Sequence, residues 1–294
     1  MGGRAGRVGW VLAGPAAVGL GCFVLLPFAA ALLLSFTDLR LGAPTAPHLV
    51  GWEQYRRVLA DPLFWRAAAN NLLFAVVVVP VQTVLALALA LALHPRLPGR
   101  GVARGLFFLP VLLPMALVAV VWTLLLAPGE GGAVNALLAA VSFGGWTPRD
   151  FLHDPAWALP AIIVLSVWQG VGFQMVVLLA GLEGIPGELY EAARVDGAGA
   201  LQRLRHVTLP GLSAPLAFTV VATTLLALRL FDQVRIMTRG GPDGATTTVV
   251  YEAVVATFDR QEVGRGAAMT VLFCLAAALL ALVQHHLLTR GGRG

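Results

Sequence analysis

The chain contains no lysine; all twenty of its basic residues are arginine. A P-loop needs a lysine to reach the β- and γ-phosphates of a nucleotide, and Schiff-base chemistry needs one as nucleophile. Neither device can be present, and the coding bias of a GC-rich gene accounts for the arginines. Charge of either sign is scarce, at 12% against about 25% in soluble domains. So few charges cannot clothe a water-facing surface. Cysteine is limited to Cys22 and Cys274, both within apolar runs and without zinc-site spacing, so both read as buried small hydrophobes. The six histidines, His285-His286 included, show no metal-ligand pattern, and no metal is expected. Paired-aspartate, HExxH and Gly-x-Ser-x-Gly motifs are also missing, which leaves no basis for a membrane enzyme. The net charge of +5 suits a cytoplasmic membrane face and not nucleic acid.

What the chain does have is oil: 58% of its residues are hydrophobic, gathered into six runs. They cover about residues 9–36, 68–93, 105–127, 158–182, 213–231 and 266–288. Each is long enough to cross a hydrocarbon core of about 30 Å. All should be helical, because a backbone in lipid must satisfy its own hydrogen bonds. The first run is too sustained for a signal peptide, whose apolar core is about 7–15 residues. The expected fold is therefore an all-α membrane protein of six transmembrane helices. With neither a linker nor an internal repeat, residues 1–294 read as one domain. Arginine counts on the two sides do not decide orientation. Density does: "HPRLPGRGVARG" carries three arginines and no acid, which favours both termini in the cytoplasm. Pro27, Pro80, Pro110 and Pro114 fall inside spans and should kink them.

The loop at 183–212 breaks the pattern. "ELYEAARVDGAGALQRLRHVTLP" (188–210) packs acids, arginines and a histidine between two apolar runs. Glu188 opens a helix, where a carboxylate complements the dipole. Asp196-Gly197 ends it, and Gly197 can take the positive φ of a turn. A second short helix follows, with Leu201, Leu204 and Val207 on one side and Pro210 closing the unit. One reading is an amphipathic loop on lipid headgroups. The other is a knob for a soluble partner. Glu191 and Asp196 gain nothing at an anionic surface, and paired alanines let another backbone come close.

"EAARVDGA" followed by "VTLP" resembles the EAA loop of binding-protein-dependent ABC importer permeases. The match falls on Glu191, Ala192, Ala193, Asp196, Gly197, Leu209 and Pro210, with Arg194 and Ala198 between them. "VGWEQYRRVLADPLFW", "LFFLP" with Trp122, "IPGELYEAA" and "FDQVRIMTRGGPDGAT" extend the likeness over nearly the whole chain, toward the carbohydrate-uptake branch of the maltose and glycerol-3-phosphate type. Trp52 and Gln54 depart from that branch's usual Gly-Leu-x-Asn-Tyr. The resemblance implies a type I ABC importer permease fold and an importer for a sugar or sugar-like solute. It implies a coupling helix docked on an ATP-hydrolysing subunit, so ATP and magnesium belong to a partner and this chain holds no cofactor. The implied partners are a second homologous permease, two ATP-binding subunits and an extracytoplasmic solute-binding protein, in a bacterial or archaeal cytoplasmic membrane. An ion-coupled secondary transporter is the alternative, but mid-span acids are lacking.

Polar side chains within spans are candidates for a solute path. Gln169 and Gln174 flank Gly170 and Gly172, beside Trp168 and Phe173. Aromatic faces and amides suit a sugar; interhelical hydrogen bonding is the plainer role. The resemblance places sugar contacts on the Trp168–Phe173 stretch, which selects Trp168, Gln169 and Phe173. Arg229 and Asp232 either pair with each other or leave Arg229 for an anionic group. Thr219, Thr223 and Thr224 either back-bond to their own helix or, at Thr223, line the path. Asn70 and Asn71 open the second span and should cap it. "TRGGPDGATT" reads as a tight outer turn whose Gly240, Gly241 and Pro242 meet the binding protein.

Overall fold

The computed structural model describes residues 13–44, 46–94, 99–143 and 145–291; the start of the expected first span and part of the 94–104 loop lie outside them. In chain order the helices are α1 (Ala13–Leu34), α2 (Glu53–Ala60), α3 (Pro62–Leu93), α4 (Arg100–Leu112), α5 (Met115–Leu125), α6 (Ala133–Val141) and α7 (Pro155–Glu183). Then come α8 (Gly187–Val195), α9 (Ala200–Gly211), α10 (Ser213–Leu228), the π-turn α11 (Val234–Thr238), α12 (Val249–Val254) and α13 (Val263–Gly291). Among the described residues four helices are long and apolar enough to cross a membrane unaided. Counting the bent pairs α4–α5 and α9–α10 as one span each gives six.

Two of the long helices start on the same two-residue signal. Asp61 accepts the Leu63 N–H at 2.9 Å ahead of Pro62, and Asp154 accepts the Ala156 N–H at 2.8 Å ahead of Pro155. A carboxylate there satisfies an orphan donor, and proline suits the first helical position because its missing N–H would be unpaired anyway. Helix α3 therefore begins eight residues before Asn70. The expectation that Asn70 and Asn71 cap it is incorrect: both lie inside the helix, and their amides serve other segments.

The third span is broken, not kinked. Its halves meet at 97°, with Leu113 extended at φ −82° and ψ 134°. Proline clashes with a helical conformation in the residue before it, so Pro114 forces this break. Pro80, Pro110 and Pro160 are carried within continuous helices.

The chain divides into two compact units. One joins the residues up to Trp65 to Glu252–Leu275. In it the Ser35 and Tyr55 hydroxyls are 2.6 Å apart, and Phe36, Trp52 and Tyr55 form an aromatic cluster. Gln54 is buried and donates to the Thr37 carbonyl at 3.0 Å. Trp52 and Gln54, the two departures from the family pattern, are thus packing residues. Arg265 pairs with Asp61 and Glu262, and Glu262 also takes Arg40.

The other unit holds Arg66–Tyr251 with the residues from Ala276 onward. Its centre is α7, with 56% of its apolar window buried against none for α1. A helix apolar on every side is suited to wide coverage, and between Trp157 and Leu182 every residue of α7 outside a stripe through Pro160, Val164, Trp168, Val176 and Ala180 is buried or half-buried. Ala86 and Ala90 of α3 pack on Val171, Met175, Leu178 and Leu182 of α7, small side chains permitting close approach. On another face α4 comes closer still: a Cβ on Gly172 would stand 2.0 Å from the Phe107 carbonyl oxygen. Gly172→Ala is expected to cost about 1–3 kcal/mol through overpacking. A lowered midpoint in thermal unfolding of the purified protein checks this; an unchanged midpoint contradicts the contact.

Candidate functional site

Within the larger unit, a cavity of about 440 Å³ opens among α3, the α4–α5 break, α7, α10 and the segment after it. Polar lining comes from Gln82, Ser166, Gln169, Gln174, Thr223, Arg229, Asp232 and Gln233; Val111, Met115 and Phe173 are among the apolar walls. Of the five residues expected to touch solute, Gln169, Phe173, Thr223 and Arg229 come together here. Trp168 does not line the cavity and instead packs on Trp122, ring centres 5.7 Å apart.

Each polar group has a traceable state. Gln169 donates to the Leu113 carbonyl at 3.3 Å, covering the oxygen that the broken helix leaves open. Gln174 is 1% exposed and donates to the Thr223 hydroxyl at 2.6 Å, while its own side-chain oxygen has no partner. Thr223 therefore faces α7, whereas Thr219 and Thr224 bond back to carbonyls of their own helix at 2.7 and 2.8 Å. Gln82 lies across Gly170, where no side chain stands in its way. Arg229 and Asp232 are exposed, line the same cavity, and make no ion pair among the described residues. The cavity thus offers amides, hydroxyls, one aromatic face and a separated cation and anion. That set can hold a hydroxyl-rich solute, since vicinal hydroxyls both donate and accept.

The 183–212 loop forms a two-helix knob between α7 and α10. Helix α8 carries Glu188, Glu191, Ala192, Ala193 and Arg194, and ends at Asp196; Gly197 turns the chain with φ +76°. The knob is internally tied. Ala198 N–H donates to the Ala193 carbonyl at 2.8 Å, and Arg203 to the Ala198 carbonyl at 2.7 Å. The Tyr190 and Thr208 hydroxyls are 3.1 Å apart, joining α8 to α9. Leu209 and Pro210 close α9 before a 69° bend into α10. Leu201, expected on the apolar side of the second helix, is 76% exposed, and Val195, which the sequence did not single out, is 88% exposed. Glu191 and Arg194 belong to the same helix as Val195, and Asp196 to its end.

The turn after α11 is pinned by side chains from three directions. Arg66 donates to the Asp243 carbonyl, Asn70 to those of Gly244 (3.0 Å) and Thr247 (2.9 Å), and the Tyr251 hydroxyl to that of Arg239 (2.7 Å). Asn71 donates to the Leu228 carbonyl at 3.1 Å and accepts the Val249 N–H at 2.9 Å. Gly240 is buried against the Tyr251 ring. It therefore offers no surface to a partner; Gly241 and Pro242 are half-buried, and Asp243 is the exposed tip. Among the described residues no three His, Cys, Asp or Glu side chains gather as metal ligands.

An all-helical chain with several apolar spans and a polar cavity between helices belongs to the class of multi-pass membrane transport proteins. The chain is a member of the family described as "Binding-protein-dependent transport system inner membrane component", whose model matches residues 82–291. It is therefore a transport subunit and not an enzyme. It is 34% identical to the trehalose/maltose transport system permease protein MalF of Thermococcus litoralis, over 92% of this chain and 89% of that one. It is 32% identical to the lactose transport system permease protein LacF of Rhizobium radiobacter, over 95% and 93% of the two chains. Its fold matches a chain of a bacterial ABC transporter involved in import of the acidic polysaccharide alginate. The TM-score is 0.82 at 21% identity, over 98% of each chain.

Thr223→Val keeps the side chain's shape but removes the acceptor for the buried Gln174 amide. An expected loss of about 1–3 kcal/mol follows from leaving that group unpaired. Denaturation of the solute-free protein measures it, and wild-type stability would contradict the bond.

Proposed function

We propose that this chain is one permease subunit of an ATP-driven importer for a sugar or sugar-like solute, glycerol-3-phosphate among the options. The observation that carries the solute class is the cavity: amides and hydroxyls of Gln82, Gln169, Gln174 and Thr223 beside Phe173, with Arg229 and Asp232 unpaired. The sugar transport named in the relatives' descriptions supports the same class. Arg229 is the group for an anionic substituent.

The coupling surface is the knob, with Glu191, Ala192, Ala193, Arg194, Asp196, Gly197 and Ala198 at its tip and Leu209 and Pro210 at its base. Its position in the chain supports this reading, because it links the two helices that line the cavity. Helix α7 brings Gln169, Phe173 and Gln174; α10 brings Thr223. A partner that closes on ATP and pulls the knob moves both walls together. Two such ATPases would serve this chain and a second homologous permease, with ATP and magnesium held entirely by the ATPases. Both termini and the knob face the cytoplasm, and the chain resides in a bacterial or archaeal inner membrane. A loaded solute-binding protein docks on the opposite side, near Gly241, Pro242 and Asp243. One similar solved assembly contains such a periplasmic protein with bound pentasaccharide.

In the assembly reconstituted in liposomes, Gly197→Asp and Glu191→Lys are expected to reduce ATP-dependent uptake at least about tenfold, some 1.4 kcal/mol of coupling. ATP hydrolysis and membrane insertion persist. Normal uptake by both variants removes the coupling assignment. A second expectation concerns the cargo: Gln169→Leu and Arg229→Leu raise the KM for uptake while hydrolysis by the ATPase is retained. An unchanged KM in both would place the solute elsewhere.

A further inference from the structure

Helix α6 is built inside out for a loop segment in water. From residue 131 to 148 the sequence has no charged side chain. The one strongly polar residue of the helix, Asn135, points inward and is 1% exposed. Its amide is fully used: it donates to the carbonyls of Ala127 (3.3 Å) and Arg149 (2.8 Å) and accepts from Trp146 Nε1 and the Arg149 N–H, both at 3.0 Å. The outward face is apolar. Leu137 is 62% exposed, Val141 68%, and Phe143, just past the helix, 98%. Phe143 also has a left-handed backbone, φ +52°, uncommon for a bulky residue.

The position of the helix says what covers its apolar face. Ala127 lies just beyond the end of α5, so the Asn135 bond ties α6 to the end of a membrane span. At the other end the Arg149 guanidinium sits 5.6 Å from the Trp146 ring and 5.2 Å from that of Trp157, in the first turn of α7. Tethered to span ends on both sides, α6 cannot leave the level of the membrane surface. Trp146 and Trp157 are the residue type favoured at that level, and Arg149 is the type that extends to headgroups. A water-soluble partner would meet an uncharged apolar face on the helix itself; acyl chains ask for nothing else.

We propose that α6 is an interfacial membrane helix. Leu137, Val141 and Phe143 are immersed in the acyl region of the leaflet on the 128–154 side, and Arg149 lies at headgroup level. The occupant of the apolar face is lipid. Single cysteines at Leu137→Cys, Val141→Cys and Phe143→Cys, in a C22A/C274A background, test this once spin-labelled. Glu130→Cys, on the exposed turn before the helix, serves as the aqueous control. The full chain, purified with its accompanying subunits, is placed in phosphatidylcholine/phosphatidylglycerol vesicles. Collision with oxygen and with a water-soluble nickel chelate is then measured by electron paramagnetic resonance. Expected is a several-fold excess of oxygen over nickel accessibility at the three helix positions, and the reverse at 130. Nickel accessibility matching the control overturns the proposal in favour of a water-facing helix. Protection from both reagents overturns it in favour of a protein covering the face, a second copy or a partner.

Discussion

A carbonyl freed from its helix inside a membrane protein must find a donor, because water is not there to supply one. This chain interrupts its helices repeatedly, and the breaks decide where its polar side chains go. Gln169 takes the Leu113 oxygen at the break in the third span. Asn71 takes that of Leu228 at the end of α10, and Thr248 that of Leu230 two residues on. Asn70, Tyr251 and Arg66 hold the turn at 239–247, and Asn135 holds both edges of the α6 loop. Few of the uncharged polar residues in the spans are spare. Among the described residues the buried unpartnered oxygens are those of Thr83, Gln174 and Gln284, and of these Gln174 lines the cavity.

The knob obeys a different constraint. It has little burial to stabilise it, so local bonds do the fixing: the Ala198–Ala193 and Arg203–Ala198 contacts, the Tyr190–Thr208 link and the left-handed turn at Gly197. These ties make the two helices one piece, the stiffness that the proposed coupling role requires. Its exposed Val195 and Leu201 would be a solubility liability on an isolated chain. The chain itself lacks lysine, and hence any P-loop.

The spans were legible because a run of about 20 apolar residues has few other uses. The knob was legible because charge is rare enough elsewhere to stand out. Gly197 was readable from its chemistry: a Gly after Asp at a helix end anticipates positive φ. The asparagines were misread for an instructive reason. Asn70-Asn71 sits where hydropathy begins to rise, which imitates a cap. The start signal lay earlier, in Asp61-Pro62, within a stretch too polar to look like a span. Gln82, Gln233 and the buried state of Gly240 were not legible, since each depends on an element distant in sequence. Gly170 and Gly172 were visible as glycines, but nothing local distinguishes room for Gln82 from room for the Phe107 backbone.

The preference for amides over charges in the interior has an energetic basis. Removing an ion from water costs several kcal/mol even after relaxation, and a buried pair recovers this only with excellent geometry. A glutamine covers a carbonyl at a far smaller desolvation cost, and its second polar atom stays available. Gln169 and Gln174 both line the cavity and both spend a donor on the protein, on the Leu113 carbonyl and the Thr223 hydroxyl. Charged groups are admitted only where the cavity is open enough to hydrate them, at Arg229 and Asp232. For the proposed solute, such a set of single hydrogen bonds would gain selectivity from their number. That suits a path which must release what it accepts, because tight binding at any one point would hold the solute in the membrane.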